Sequence, residues 1–321
     1  MRRNSFVFFV GVLGVVLGST GSYGEGLWEN GEISAPSAEN GEISAPTTES
    51  GEGMLSPSHG DEGGSLFSQQ ASEEMIYWDE SWPYAEFSQI HSDGVKLYHA
   101  ANSNGIVVAV NAGHGTAGGD GYQTLCHPDG TPKVTGGSTA AGATYATAVS
   151  GGTTMLDGTP EPTVTLSLAQ LLKTELLERG FDVLMIRDGE DAQLDNIART
   201  VFANQNANCH LALHYDSTEN DKGFFYIGVP QDGSYLAMEP VASHWQQHMA
   251  LGNALLEGMQ NTGNKIYSTG IIELDLTQTS YSMVPSVDVE VGDRGSDYSE
   301  ATQQRIAEGL ADGLQRYFGV G

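Results

Sequence analysis

Basic residues are scarce in this chain of 321 residues. Thirteen lysines and arginines face 41 aspartates and glutamates, a formal net charge of −28. Nucleic-acid binding rests on lysine and arginine neutralising phosphates, so this balance argues against that class of partner. It argues equally against adhesion to an anionic membrane surface. Between residues 25 and 100, fifteen acidic residues meet one base, Lys96, so much of the excess lies ahead of the expected enzyme domain. Cysteine is nearly absent as well: only Cys126 and Cys209 occur. An exported chain can join two such thiols or leave them free, and sequence does not supply the Cα separation that a bridge needs. Long apolar runs are missing too. The run Phe6–Leu17 is short of the ~20 residues that a membrane-spanning helix requires. It follows Arg2 and Arg3 and precedes small residues, the three-part pattern of a secretory signal peptide. Residues 1–24 are therefore read as that segment, with cleavage between Gly18 and Gly24, and the mature chain is expected to be secreted or held in the cell envelope without a membrane span. No cysteine near that point offers itself to a lipid anchor.

Residues 25–75 are rich in Glu, Ser, Gly and Pro and read as an acidic, disordered linker. Within it ENGEISAPSA (29–38) is followed by ENGEISAPTT (39–48), a tandem decapeptide too short and too polar to stack into a solenoid. Aromatics return in a lead-in segment, 76–104, with Tyr77, Trp78, Trp82, Tyr84, Phe87 and Tyr98. Packing on the following domain is the favoured reading, because aromatics are usually core payload; a sugar-stacking surface is the alternative.

From residue 105 to 321 strand-like and helix-like patterns alternate. Ile106–Val110, Phe181–Ile186, His210–His214, Phe224–Val229 and Ser286–Val291 read as strands. A leucine face from Leu166 to Leu177, stopped by Gly180, reads as a helix, as do Leu194–Asn206, Val241–Met259 and Ser299–Phe318. This order predicts a single α/β domain, a mostly parallel twisted sheet with helices on both faces, of the phosphorylase/hydrolase-like type.

Sites in such sheets form beyond the carboxyl ends of the strands. Three polar residues fall there: His114 within NAGHGTAGGDG, His214 at the end of HLALH, and Glu290 in SVDVEV. Two histidines at one rim suggest a metal, and a catalytic zinc takes three protein ligands and leaves one position open. Glu161, just ahead of the leucine-faced helix, is the best third ligand; His127 is the weaker alternative. His210 lies four strand steps, about 13 Å, from His214, so both cannot hold one ion. Each ligand also has an ordinary reading, His114 as a turn residue and Glu161 as a partner for the positive end of a helix. Glu290 is harder to dismiss. Buried between valines it is costly unless paired, and Asp288 shares its face.

These motifs together resemble the zinc-dependent N-acetylmuramoyl-L-alanine amidases of the type-3 family. VVAVNAGHG with GGDG is similar to that family's first metal motif, and Glu161 to its ligand glutamate. GFDVLMIRD, ending in Arg187, is similar to its arginine-bearing strand. IARTVFANQNANCHLALHYDS carries Arg199, Ala203, Asn204 and the second histidine, and VPSVDVEVG the catalytic glutamate. The resemblance implies one zinc per chain held by His114, Glu161 and His214, with Glu290 as catalytic base. The implied substrate is peptidoglycan, cut between N-acetylmuramic acid and L-alanine. A monomer is expected. Arg187 and Arg199 are candidates for peptide carboxylates, with structural ion pairs the favoured role, and Asp288 for orienting a ligand histidine. Glu161 lies 47 positions after His114, a longer interval than the family usually shows. The excess, 123–158, reads as a substrate lid or a disordered excursion. The family commonly has an apolar residue where Asp288 stands, Asn at Asp216, and Phe-Leu-Ser-Asn over Asp293–Ser296. Two alternatives remain open at this point: another zinc peptidase on the same fold, or a non-catalytic wall-binding protein.

Overall fold

The structure, a computed structural model, describes residues 72–321. The signal peptide, the decapeptide repeat and nearly all of the linker lie outside the described residues. In chain order the strands and helices are β1 (Glu73–Ile76), β2 (Val95–Tyr98), β3 (Val107–Ala112), β4 (Gln123–Leu125), β5 (Tyr145–Thr147), α1 (Glu161–Glu178), β6 (Asp182–Met185), α2 (Asn196–Asn206), β7 (Cys209–Asp216), β8 (Phe224–Gly228), α3 (Gly233–Leu236), α4 (Val241–Asn261), β9 (Ile266–Glu273), α5 (Thr277–Tyr281), β10 (Ser286–Asp293) and α6 (Glu300–Phe318). Eight strands form one sheet in the order β1-β2-β6-β3-β7-β10-β8-β9. Its centre, β6-β3-β7-β10, is parallel, β8 pairs antiparallel with β10, and the β1–β2 hairpin closes one edge in antiparallel fashion. The expected mostly parallel α/β sheet is therefore present.

Alternation along the strands sorts the core. In β3, Val108, Val110 and Ala112 join Leu168, Leu172 and Leu176 of α1 and Leu310 and Leu314 of α6, while Ala109 turns to the other side with Ala198 and Phe202 of α2. Helices thus cover both faces; β3 and β6 are apolar on both for most of their length, whereas β7 and β10 carry His210, His214, Asp288 and Glu290 on one face. The chain leaves β3 through α1 to β6 on one side, then returns through α2 to β7 on the other. The strand order reverses between β3 and β7, the place where sites in such sheets form, beyond the carboxyl ends of the strands.

The aromatic lead-in packs on the domain. Trp78 and Trp82 lie 5.5 and 5.4 Å from Phe202, and Tyr84 and Phe87 close on Tyr281. Several short elements went unread in the sequence, β1, β2, β4, β5, α3, β9 and α5. The strand β9 has an irregular register with β8. The hairpin β1–β2 begins at Glu73, two residues inside the expected linker. Cys126 and Cys209 are both buried and unpaired. Among the described residues no helix is long and apolar enough to cross a membrane.

Candidate metal centre

Three segments bring the chemistry together. β3 ends in Gly113–His114, and His114 adopts φ 64°, a left-handed conformation that folds its ring back over the strand ends. Gly113 is required here by space: a Cβ would stand 2.3 Å from the His214 imidazole. His214 comes from β7. Glu161 is the first residue of α1 rather than part of the preceding loop, and it is buried. His114 Nε2 lies 3.1 Å from Glu161 Oε1, His214 Nδ1 is 3.0 Å from His114 Nε2, and His214 Nδ1 is 3.3 Å from Glu161 Oε1. A tetrahedral ion with bonds of about 2.0–2.1 Å has ligand–ligand edges of about 3.3 Å. The three expected ligands converge, at the spacing zinc needs.

Each ligand is oriented from behind. Nδ1–H of His114 is 2.9 Å from the Ser150 carbonyl, which leaves Nε2 as the free lone pair. Glu161 Oε2 accepts from the Thr153 amide at 2.8 Å, and its Oε1 from the Tyr215 amide at 3.0 Å. His214 turns Nε2 toward Asp288 Oδ2, 3.5 Å away. Outer partners of this kind fix the tautomer and aim of a metal ligand. Gly152, at φ 80°, passes so close that a Cβ would meet His114 Cδ2 at 2.7 Å and Glu161 Oε2 at 2.9 Å.

Glu290 pairs in register with His214 on the adjacent strand. Its Oε2 is buried and has no hydrogen-bond partner among the described residues. Burial raises the Glu290 carboxyl well above the usual range; His214 pulls it back, and Asp288, Glu161 and Asp216 push it further up. Burial likewise raises Asp288, against the pull of His214 and His114. Burial works against a charged His214, yet Asp288, Glu161 and Glu290 carry it up to about 10 in the metal-free chain. Burial would also raise Glu161, but His114 and His214 hold it well below the usual carboxylate range. Three carboxylates around two imidazoles, one oxygen unpartnered, form a site that is short of positive charge.

Other expectations find different places. His127 is no ligand: its Nε2 meets the buried Asp275 at 3.1 Å. His210 is wholly buried with both ring nitrogens unpartnered. Arg187 and Arg199 are buried and make no ion pair among the described residues. Arg187 donates to the carbonyls of Ala112, Gly113, Pro162 and Gly189, and Arg199 to those of Leu194, Ala112 and His114. They bind backbone because the strand-to-loop turn after β3 leaves its carbonyls without ladder partners. Asp293 is buried and accepts from the Lys222 amide, and Asp216 pairs with the Lys222 side chain, so both fix the β7–β8 connection. Ser150 and Thr153 were missed by sequence reasoning. Both lie in or just outside a Gly-rich stretch where spacing carries no signal, and only the bulk-free Gly151–Gly152 pair marks the close approach.

A family model described as N-acetylmuramoyl-L-alanine amidase matches residues 108–316, which include His114, Glu161, His214 and Glu290. The chain belongs to this family. Its members' activity makes it a peptidoglycan amidase. The fold agrees. The N-acetylmuramyl-L-alanine amidase Ami1 from Mycobacterium smegmatis superposes with a TM-score of 0.55 at 18% identity, covering 68% of this chain and 99% of that one. The apo form of Ami1 from Mycobacterium abscessus gives 0.53 at 20% identity, covering 67% and 99%. A search of curated proteins found no match.

Proposed function

We propose that this amidase cuts the bond between N-acetylmuramic acid and L-alanine with one zinc ion held by His114, Glu161 and His214 and with Glu290 as general base and acid. The observation that carries this reading is the set of three donor atoms 3.0–3.3 Å apart beside a buried carboxylate oxygen that has no partner. A zinc ion there supplies a Lewis acid for the scissile carbonyl and makes water nucleophilic at neutral pH. The chain's own groups do the rest. His114 and His214 offer one lone pair each because Ser150 and Asp288 occupy their other nitrogens. Glu290 removes a proton from the attacking water and returns it to the departing L-alanine nitrogen. Burial strengthens its hold on that proton, which suits a group that must act first as base and then as acid.

Purified peptidoglycan digested with and without a chelator, followed by mass analysis, tests the reading. New peptides beginning with L-alanine should appear only without chelator. Cleavage at a peptide bond inside the stem, or digestion that survives removal of zinc, would overturn it. The substrate lies outside the cytoplasm and residues 1–24 have the pattern of a signal peptide, so we also infer export; the amino terminus of secreted protein should fall between residues 18 and 25.

A further inference from the structure

The residues between His114 and Glu161 bury few large side chains, yet they are no disordered excursion. β4 and β5 pair as a hairpin, the amide of Cys126 donates to the carbonyl of Thr144 at 2.9 Å, and Lys133 and Ala143 are joined by backbone at 2.9 Å. The far end is pinned by one residue outside the insertion. Asp275, in the turn between β9 and α5, is completely buried. Its carboxylate accepts from His127 Nε2 at 3.1 Å, from Lys133 Nζ at 2.9 Å, from the Val134 and Thr135 amides at 2.6 and 3.2 Å, and from the Thr135 hydroxyl. Lys133 Nζ also reaches the Asp275 carbonyl, and the Asp275 amide returns a bond to Thr135 Oγ1 at 3.0 Å. From this anchor the hairpin runs back through Ala148, whose amide donates to the Tyr122 carbonyl, and reaches the metal centre at Ser150 and Thr153. Two of the three ligands are therefore aimed by a segment whose only buried ionic fastening among the described residues is Asp275.

We infer that Asp275 is a positioning residue for the metal centre: it fixes the insertion 123–158, and the insertion sets the aim of His114 and Glu161. This rests on the zinc reading above. It assigns Asp275, His127, Lys133 and Thr135 a shared role, although none of them reaches a metal ligand directly.

The test uses the full chain and zinc alone. Lys133 is the only lysine or arginine between Lys96 and Lys173, and it is nearly buried, so trypsin cutting after it reports opening of the insertion. Zinc affinity is read by competition with a chromophoric chelator. Asp275→Asn should speed cutting after Lys133 and weaken zinc binding about tenfold, the low end of the loss seen when outer partners of a metal site are removed. Thr135→Val removes one bond to the same carboxylate and should move both readouts in the same direction, by less. If Asp275→Asn does not fold, Thr135→Val alone makes the comparison. Cutting after Lys133 with zinc affinity unchanged overturns the inference, as does no change in either. A wild-type chain that binds zinc but leaves peptidoglycan intact would instead sink the functional reading and leave this coupling standing.

Discussion

Two buried clusters in this molecule are built from the same side chains and behave in opposite ways. Around Asp275 one carboxylate collects donors from His127, Lys133, Val134 and Thr135, and every lone pair is used. Around His114 and His214 three carboxylates compete for two imidazoles, and Glu290 Oε2 is left without any donor. Histidine beside carboxylate therefore says nothing by itself about a metal. What separates a fastening from a binding site is the surplus: a satisfied cluster holds structure together, whereas one lacking positive charge waits for a cation.

Removing a carboxylate from each cluster should sharpen that contrast most. Glu290→Gln should lower kcat by about 10²–10⁴-fold while zinc stays bound, measured on soluble muropeptides with metal analysis alongside. In the metal-free chain the same change should leave the melting temperature unchanged or raised, because it removes charge from an overfilled site. Asp275→Ala should do the reverse to stability. It strands the buried Lys133, and chemical denaturation should show a loss of about 3–5 kcal/mol. If both variants lose stability alike, the contrast fails.

Acid provides a milder probe. His127, Thr135 and Lys133 outweigh burial and hold Asp275 well below its ordinary 3.8. Its contribution is complete above that value and lost only as pH falls through the lower, folded one. Burial, with Arg199 adding to it, takes His210 down to about 3, and burial with His244 takes His248 to about 3, from an ordinary 6.5. A neutral histidine of this kind lets the unfolded state bind the extra proton, so stability should fall as pH drops from 6.5 toward 3. His210→Leu should flatten that limb in melting curves recorded from pH 7 to 4; an unchanged slope would remove His210 as its source. The smallest effect is expected from Gly152→Ala. A left-handed alanine costs about 1–2 kcal/mol, and its Cβ would press on His114 and Glu161, so zinc affinity should drop along with stability. Loss of stability alone would show that the ligands yield to it.

Much of this site was legible because its residues end periodic elements. His114 and His214 close apolar strands, Glu290 interrupts a valine strand, and Glu161 opens a leucine-faced helix, so pattern and chemistry pointed to one rim. The sheet's parallel centre followed from the same alternation. What escaped has physical reasons. β9 mixes polar and apolar residues without a clean period, and Asp275 sits in a turn, where an aspartate ordinarily reads as turn chemistry. The insertion offered no periodicity, since its few buried apolar residues, Cys126, Ala148, Val149 and Met155, are scattered and much of its fastening is polar. Arg187 and Arg199 were expected to meet carboxylates; their partners are mostly main-chain oxygens, which sequence does not display, with Thr165, Asn111 and Thr116 beside them.

Arg187 touches the turn after β3 and the first turn of α1 with one planar group, reaching Ala112, Gly113, Pro162 and Thr165 together. A fork of that shape cannot follow one side and release the other. The backbone turn that carries His114 and the helix end that carries Glu161 must then shift as one piece, while the loops around them are left to aim the two side chains across a fixed spacing. An insertion such as 123–158 can therefore adjust the aim of two side chains without parting the strand and the helix that carry them.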